Sequence, residues 1–423
     1  MNDADATLLT QFVRYSRKRF NVDLLLSGLV CGRARPEIPA RPVVLSLVLG
    51  EVAHVPSLLQ LQEETKLPEW QQWVGYPGAI SYDTFGYVSE RLDPEHLRRA
   101  ARHICRKLKR GKAFEANKIN GLLCVSLDAN EQFCSDHRCC EQCLTREVTC
   151  KDARGQEVKK TQYYHKQVYA QLSGPELSVI LDFEPMRQGE EECAAALRLL
   201  RRLRANYGLR FLDVVVVDSW YAKGPFLKTV SEDLGWPVVA VLKQERFEVH
   251  QEALALSRKK PDQMVERNGR RVELWDVRSL RFSDSYETPV RVVRVRETWT
   301  QREQRGPEWV HVQKEQNWLW VVAGDLDGYD SAVIRDLGHS RWKIENHAFG
   351  QLTQHWHLTH CSHHHPVAVV VLLWIKILAF TLFHAFAMLH GKLYRMGKVT
   401  FQELRKRIYR SLFRGWPLRL FSG

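Results

Sequence analysis

Three acids in this sequence stand where carboxylates can do chemistry. Asp128 follows the apolar run LLCVSL (122–127), and Asp218 follows FLDVVVV (211–217), a β-branched run of the kind found in strands covered on both faces. Ligand sites of open α/β sheets lie at the carboxyl ends of strands, so two acids placed there can converge although they are far apart in the chain. Taken singly, each is as readily a turn-forming Asp. Glu345 is the sharper signal. In SRWKIENHAFGQLTQHW, Trp342, Glu345, Phe349, Leu352 and Trp356 recur at spacings of three and four and share one helix face, which sets a carboxylate in an apolar stripe. A charge placed so needs a partner, either Arg341 one turn earlier or a metal ion. Three carboxylates suit two hard cations, Mg²⁺ or Mn²⁺, and such a pair supports in-line displacement at phosphorus with no covalent protein intermediate. Neither a Ser or Cys nucleophile motif nor a Gly-rich phosphate loop ending in Lys and Ser or Thr is seen.

The elements that must position these acids read in order as strands at 122–127, from Tyr163 and from Glu176, a helix at 190–203, a strand at 211–217, a helix at 222–234 and a strand at 236–242. This order is the ribonuclease H-like α/β layout, a mixed sheet flanked by helices. Residues 1–115 read as a helical, basic N-terminal region suited to DNA contact. Catalytic-domain segments at 116–265 and 326–390 are separated by a β-rich insertion at 266–325, and 391–423 form a basic C-terminal tail. The alternation of apolar and charged positions from Leu92 to Lys112 fits a solvated helix face or a DNA-contacting one equally well.

Composition narrows the partners. The 423 residues are 44% hydrophobic with a formal net charge of +13, an excess that favours a polyanion, nucleic acid first and an anionic membrane surface second. The start, MNDADATLLTQF, is unlike a secretory signal, so a reducing cytoplasm is expected, with the ten cysteines as thiols or metal ligands. The run from Val367 to Leu389 is long enough to cross a bilayer, but Lys376 and His384 within it favour a helix buried in protein and no membrane partner.

Further residues offer secondary roles. Cys140 and Cys143 make half of a structural Zn²⁺ site, against a plain loop of reduced thiols. Histidines cluster at His355, His357, His360, His363, His364 and His365, as metal ligands, phosphate contacts or packing. Trp220 and Tyr221, directly after Asp218, could stack on an unpaired base or pack in the core. Lys243 at the end of the last strand is a candidate phosphate contact. The tail interleaves Arg and Lys with aromatic residues, as DNA-contacting or subunit-contacting helices do.

The chain resembles the DDE transposases of bacterial insertion sequences, in the group whose β-rich insertion separates the second Asp from the Glu. The resemblance is carried by LDANEQF around Asp128, VVVVDSWYAKGPF around Asp218, and RWKIENHAFGQL with WHLTH around Glu345. It implies that Asp128, Asp218 and Glu345 are metal-binding catalytic acids and that Arg341 contacts a phosphate near the cut end. It also implies cleavage at element ends in double-stranded DNA, strand transfer to target DNA, and a homodimer holding two ends. The alternatives are a metal-dependent nuclease without strand transfer and a non-catalytic DNA-binding protein. Three features depart from the pattern: Gly338 stands where relatives often carry Tyr, Leu352 and Thr353 stand where they often carry a Lys at one or the other position, and Ala129 where they usually carry Gly.

Overall fold

A computed structural model of the chain describes residues 8–138, 140–173, 177–245, 247–342, 350–389 and 399–411. Among these, ten strands join in one mixed sheet flanked by helices. The strands are β1 (Cys124–Ser135), β2 (Leu144–Lys151), β3 (Glu157–Ser173), β4 (Val179–Pro185), β5 (Val214–Val217), β6 (Val238–Val241), β7 (Gln263–Arg267), β8 (Arg270–Leu280), β9 (Val290–Arg305) and β10 (Glu308–Ala323). Their order is β2-β3-β1-β5-β6-β10-β9-β8-β7, with β4 also on β3. Strands β1, β5 and β6 run parallel; β3 is antiparallel to β1, and β4, antiparallel to β3, runs in the same direction as β1. The five-strand path β4-β3-β1-β5-β6 is the expected ribonuclease H-like order, and β2 is an added hairpin strand.

The sequence suggests that the first strand stops at Asp128, whereas β1 runs on to Ser135. The cause lies in its two neighbours. Its parallel partner β5 ends at Val217, but antiparallel β3 continues to pair with it, Asp128 facing Tyr169 and Phe133 facing His165. Asp128 therefore sits where β1 loses one of two partners and its side chain gains room. Strands β7–β10 extend the same sheet through β10, which pairs antiparallel with β6. Register explains their mixed pattern: β8 reaches only Thr298 of β9, so the far halves of β9 and β10 pair with each other and alternate toward solvent on both faces.

Alternation along the parallel strands divides the core in two. Val214, Val216, Val239, Val241, Val293 and Trp320 face α11 (Ser331–Ser340), which brings Ala332, Ile334 and Leu337 to them. On the opposite face, Val215, Val217, Val238 and Ala240 join the larger core with α8 (Glu192–Tyr207) and α9 (Gly224–Lys228). Glu297 on β9 fixes α11 to the sheet. Its side chain, with no exposed surface, accepts from Arg335 Nε at 2.7 Å and Arg270 at 2.7 Å and pairs with His339 Nε2 at 2.8 Å. At Gly338 a Cβ would enter the Trp320 ring, so the helix approaches the sheet as closely as it does because that position has no side chain. A side chain as large as Tyr would not fit there.

The apolar helix α13 (Pro366–Leu389) sits inside a sleeve of helices that includes α1 (Leu8–Phe20), α3 (Ala40–Ala53), α6 (Tyr82–Arg91) and α7 (Pro94–Arg110). Its length and composition would permit a bilayer crossing, yet 78% of its most apolar window is buried against protein. Lys376 is accommodated by donating to the His357 carbonyl at 2.7 Å. His384 is enclosed between Phe380 and Phe401, and burial pushes its pKa down to about 3. Much of the basic face of α7 is used internally: Arg98 pairs with Asp182, Arg102 with Asn206, and Lys109 with the Arg210 carbonyl. In the last described helix, α14 (Phe401–Arg410), Arg405 is buried and donates to the Glu51 and Val52 carbonyls.

Candidate active site

Parallel pairing sets Cys124 beside Val214, Val125 beside Val215 and Ser126 beside Val216. Two residues further on, the same register brings Asp128 level with Asp218, on neighbouring strands about 4.8 Å apart. Asp128 shares the side-chain parity of Cys124, and Asp218 that of Val214 and Val216, so alternation carries both acids to the α11 face. Arg341, immediately after α11 and 7% exposed, reaches this face with Nη1 4.0 Å from Asp128 Oδ2. Asp128 Oδ1 also accepts from the Ala129 N–H at 2.8 Å.

Asp218 caps a short turn at Ser219–Tyr221, where its Oδ1 accepts from the Trp220 N–H at 2.8 Å. Burial pushes its carboxyl above the ordinary carboxylate range, aided by nearby Glu192 and opposed by the Trp220 N–H and the Arg341 charge. The turn is held from behind by a group the sequence did not single out. Glu192, first residue of α8, accepts from Tyr221 Oη at 2.6 Å and Lys166 Nζ at 2.9 Å. Its one sequence signal was an acid in the first turn of a helix, which is ordinary.

Of the other residues singled out in the sequence, Trp220 is 55% exposed with Lys223 Nζ over its ring at 4.9 Å. Tyr221 is fully buried against Phe226, which is the packing alternative. Lys243 is exposed just past β6, on the same rim as Asp218. Glu345 lies outside the described residues. The chain's histidines make contacts of their own: His363 pairs with Glu90 at 2.8 Å, and His357 stacks on His54. Cys140 and Cys143 stand together with His165, their donor atoms within 4.8 Å of one another.

The donor chemistry suits a hard cation. Two carboxylates are brought level, and Asp218 carries an unfavourable ionisation that a neighbouring positive charge would relieve. The family described as Transposase DDE domain matches residues 146–382, a stretch that contains Asp218, Arg341 and Glu345 and begins after Asp128. No curated protein matches the chain significantly. Among solved structures, a cryo-EM structure of a piggyBac transposase synaptic complex with hairpin DNA is similar, with a TM-score of 0.42 and 11% identity over 96% of this chain and 80% of that one.

Proposed function

This chain belongs to the transposase DDE domain family, and from that premise we propose that it cuts the ends of an insertion sequence in double-stranded DNA and joins the freed 3′-hydroxyl to target DNA. The observation that carries this reading is the level placement of Asp128 and Asp218 at the rim of two parallel strands, with Arg341 beside them. Asp128 and Asp218, with Glu345, would hold two Mg²⁺ or Mn²⁺ ions. Bound there, such ions activate a water or 3′-hydroxyl and neutralise the departing oxygen.

The protein's own groups supply position. The Glu192–Tyr221 contact and the Trp220 N–H keep the Asp218 carboxylate aimed along the rim. Arg341, buried and delivered by α11, contributes a fixed positive charge where a scissile phosphate approaches. Exposed Trp220 offers a face for an unpaired base, and Lys243 a charge for the flanking backbone. We further propose action in the cytoplasm and a homodimer that brings two element ends together.

The test is cleavage and joining of element-end DNA with Mg²⁺, comparing wild type with Asp218→Asn and Glu345→Gln. Joined products from wild type, lost in both variants while DNA binding persists, support the proposal. Cleavage without joining leaves a nuclease, and binding with no cleavage by any of the three leaves a DNA-binding protein.

A further inference from the structure

The Cys140-x-x-Cys143 turn precedes β2, and the β2–β3 register determines what it meets. Leu144 pairs with Tyr164, so Cys143, one residue earlier, lies beside His165, one residue later on the antiparallel partner. The Sγ atoms of Cys140 and Cys143 are 3.8 Å apart, and His165 Nε2 lies 3.1 Å from the first and 3.7 Å from the second. A tetrahedral zinc with Zn–S near 2.3 Å and Zn–N near 2.0–2.1 Å requires S···S of about 3.8 Å and S···N of about 3.6 Å. Two of the three separations match one face of that tetrahedron, and the third, Cys140 Sγ to His165 Nε2, need open by only about 0.5 Å to complete it.

We propose that Cys140, Cys143 and His165 bind a structural Zn²⁺ ion that clamps the β2–β3 hairpin beside the far end of β1. Soft sulfur donors select zinc over the Mg²⁺ or Mn²⁺ that the oxygen donors of the acids suit, so the two sites differ in metal. Binding replaces two thiol protons: both cysteines lose S–H, form S–Zn bonds and release the protons to solvent, while neutral His165 donates its Nε2 lone pair. Cys143 and His165 are each 7% exposed, and the Cys140 N–H donates to Cys143 Sγ at 3.3 Å, a bond that strengthens as the sulfur gains charge. The Phe133 ring touches both His165 and His364, so the clamp also borders the histidine-rich loop that leads into α13. The proposal does not depend on the catalytic reading.

The test is metal content of the full chain purified without chelator after growth with zinc. One zinc per chain is expected, falling at least about tenfold in Cys143→Ser and His165→Ala and retained in His165→Cys and in Cys150→Ser. Thiol alkylation of wild type provides a readout that needs no variant: Cys140 and Cys143 should resist modification until a chelator is added, while exposed Cys134 reacts at once. A wild-type chain without zinc, zinc retained in Cys143→Ser, or a Cys140–Cys143 disulfide found by mass analysis would overturn the proposal.

Discussion

Replacing Glu297 by Gln removes one charge and almost no volume from the contact that holds α11 to the sheet. Burial alone would raise the Glu297 carboxyl, but hydrogen bonds from His339 and Arg270 and the charges of His339 and Arg335 outweigh it and hold the pKa at about 2, against an ordinary 4.5. At ~1.4 kcal/mol per pH unit, that difference amounts to about 3 kcal/mol. Because the folded value is depressed, the stabilisation is complete above about pH 4.5 and is lost as pH falls toward about 2. Glu297→Gln also removes one of the two carboxylates paired with Arg335, which is 6% exposed, leaving only Asp336, and this adds to the loss. The expected result is a fall of about 3 kcal/mol in urea unfolding at pH 7, with the gap to wild type shrinking by more than half between about pH 6 and about pH 3. Amide exchange in α11 should accelerate, and cleavage should fall because α11 delivers Arg341. A loss below about 1 kcal/mol, or a gap that does not change with pH, would refute the reasoning.

Four further outcomes are expected. Since burial raises the Asp218 pKa, its ionised form opposes folding above the ordinary carboxylate range; Asp218→Asn should keep or raise Tm while abolishing cleavage, and Mg²⁺ should raise the Tm of wild type more than that of the variant in thermal shift assays. Gly338→Ala pushes a methyl group into the Trp320 ring and should cost about 1–3 kcal/mol in denaturant titrations, with cleavage reduced as α11 moves. Trp220→Ala removes an exposed ring and should leave Tm unchanged while weakening binding to DNA ends with unpaired bases by about 5- to 150-fold in fluorescence anisotropy. His384, held near 3 by burial and by Arg405 against an ordinary 6.5, takes up a proton on unfolding; stability is lost as pH falls below about 6.5, and His384→Phe should flatten that acid slope in Tm measurements.

The sequence alone determined the chain order of β1, β3, β4, β5 and β6, though not β2, and the presence of an acid at the end of two apolar runs. Both follow from local pattern: short apolar runs bounded by polar or turn-forming residues read as buried strands, and the acid after each run is visible in the sequence itself. The charge excess and the Cys140-x-x-Cys143 turn were equally local. Tertiary structure decided everything that depends on which distant segments meet. Register between β1 and β5 made Asp128 and Asp218 level, and the end of β5 turned a mid-strand position of β1 into a rim position. Pairing of β2 with β3 added His165 to two cysteines more than twenty residues earlier. Strands β7–β10 became a continuation of the sheet because β10 pairs with β6, a choice that alternation cannot encode. Trp220 and Tyr221 are neighbours of similar chemistry, yet one is exposed and the other enclosed, since the tight turn after Asp218 rotates successive side chains by about 120°. Hydropathy reads α13 identically in lipid or in a protein core, because transfer from water favours both, and only the surrounding helices distinguish them.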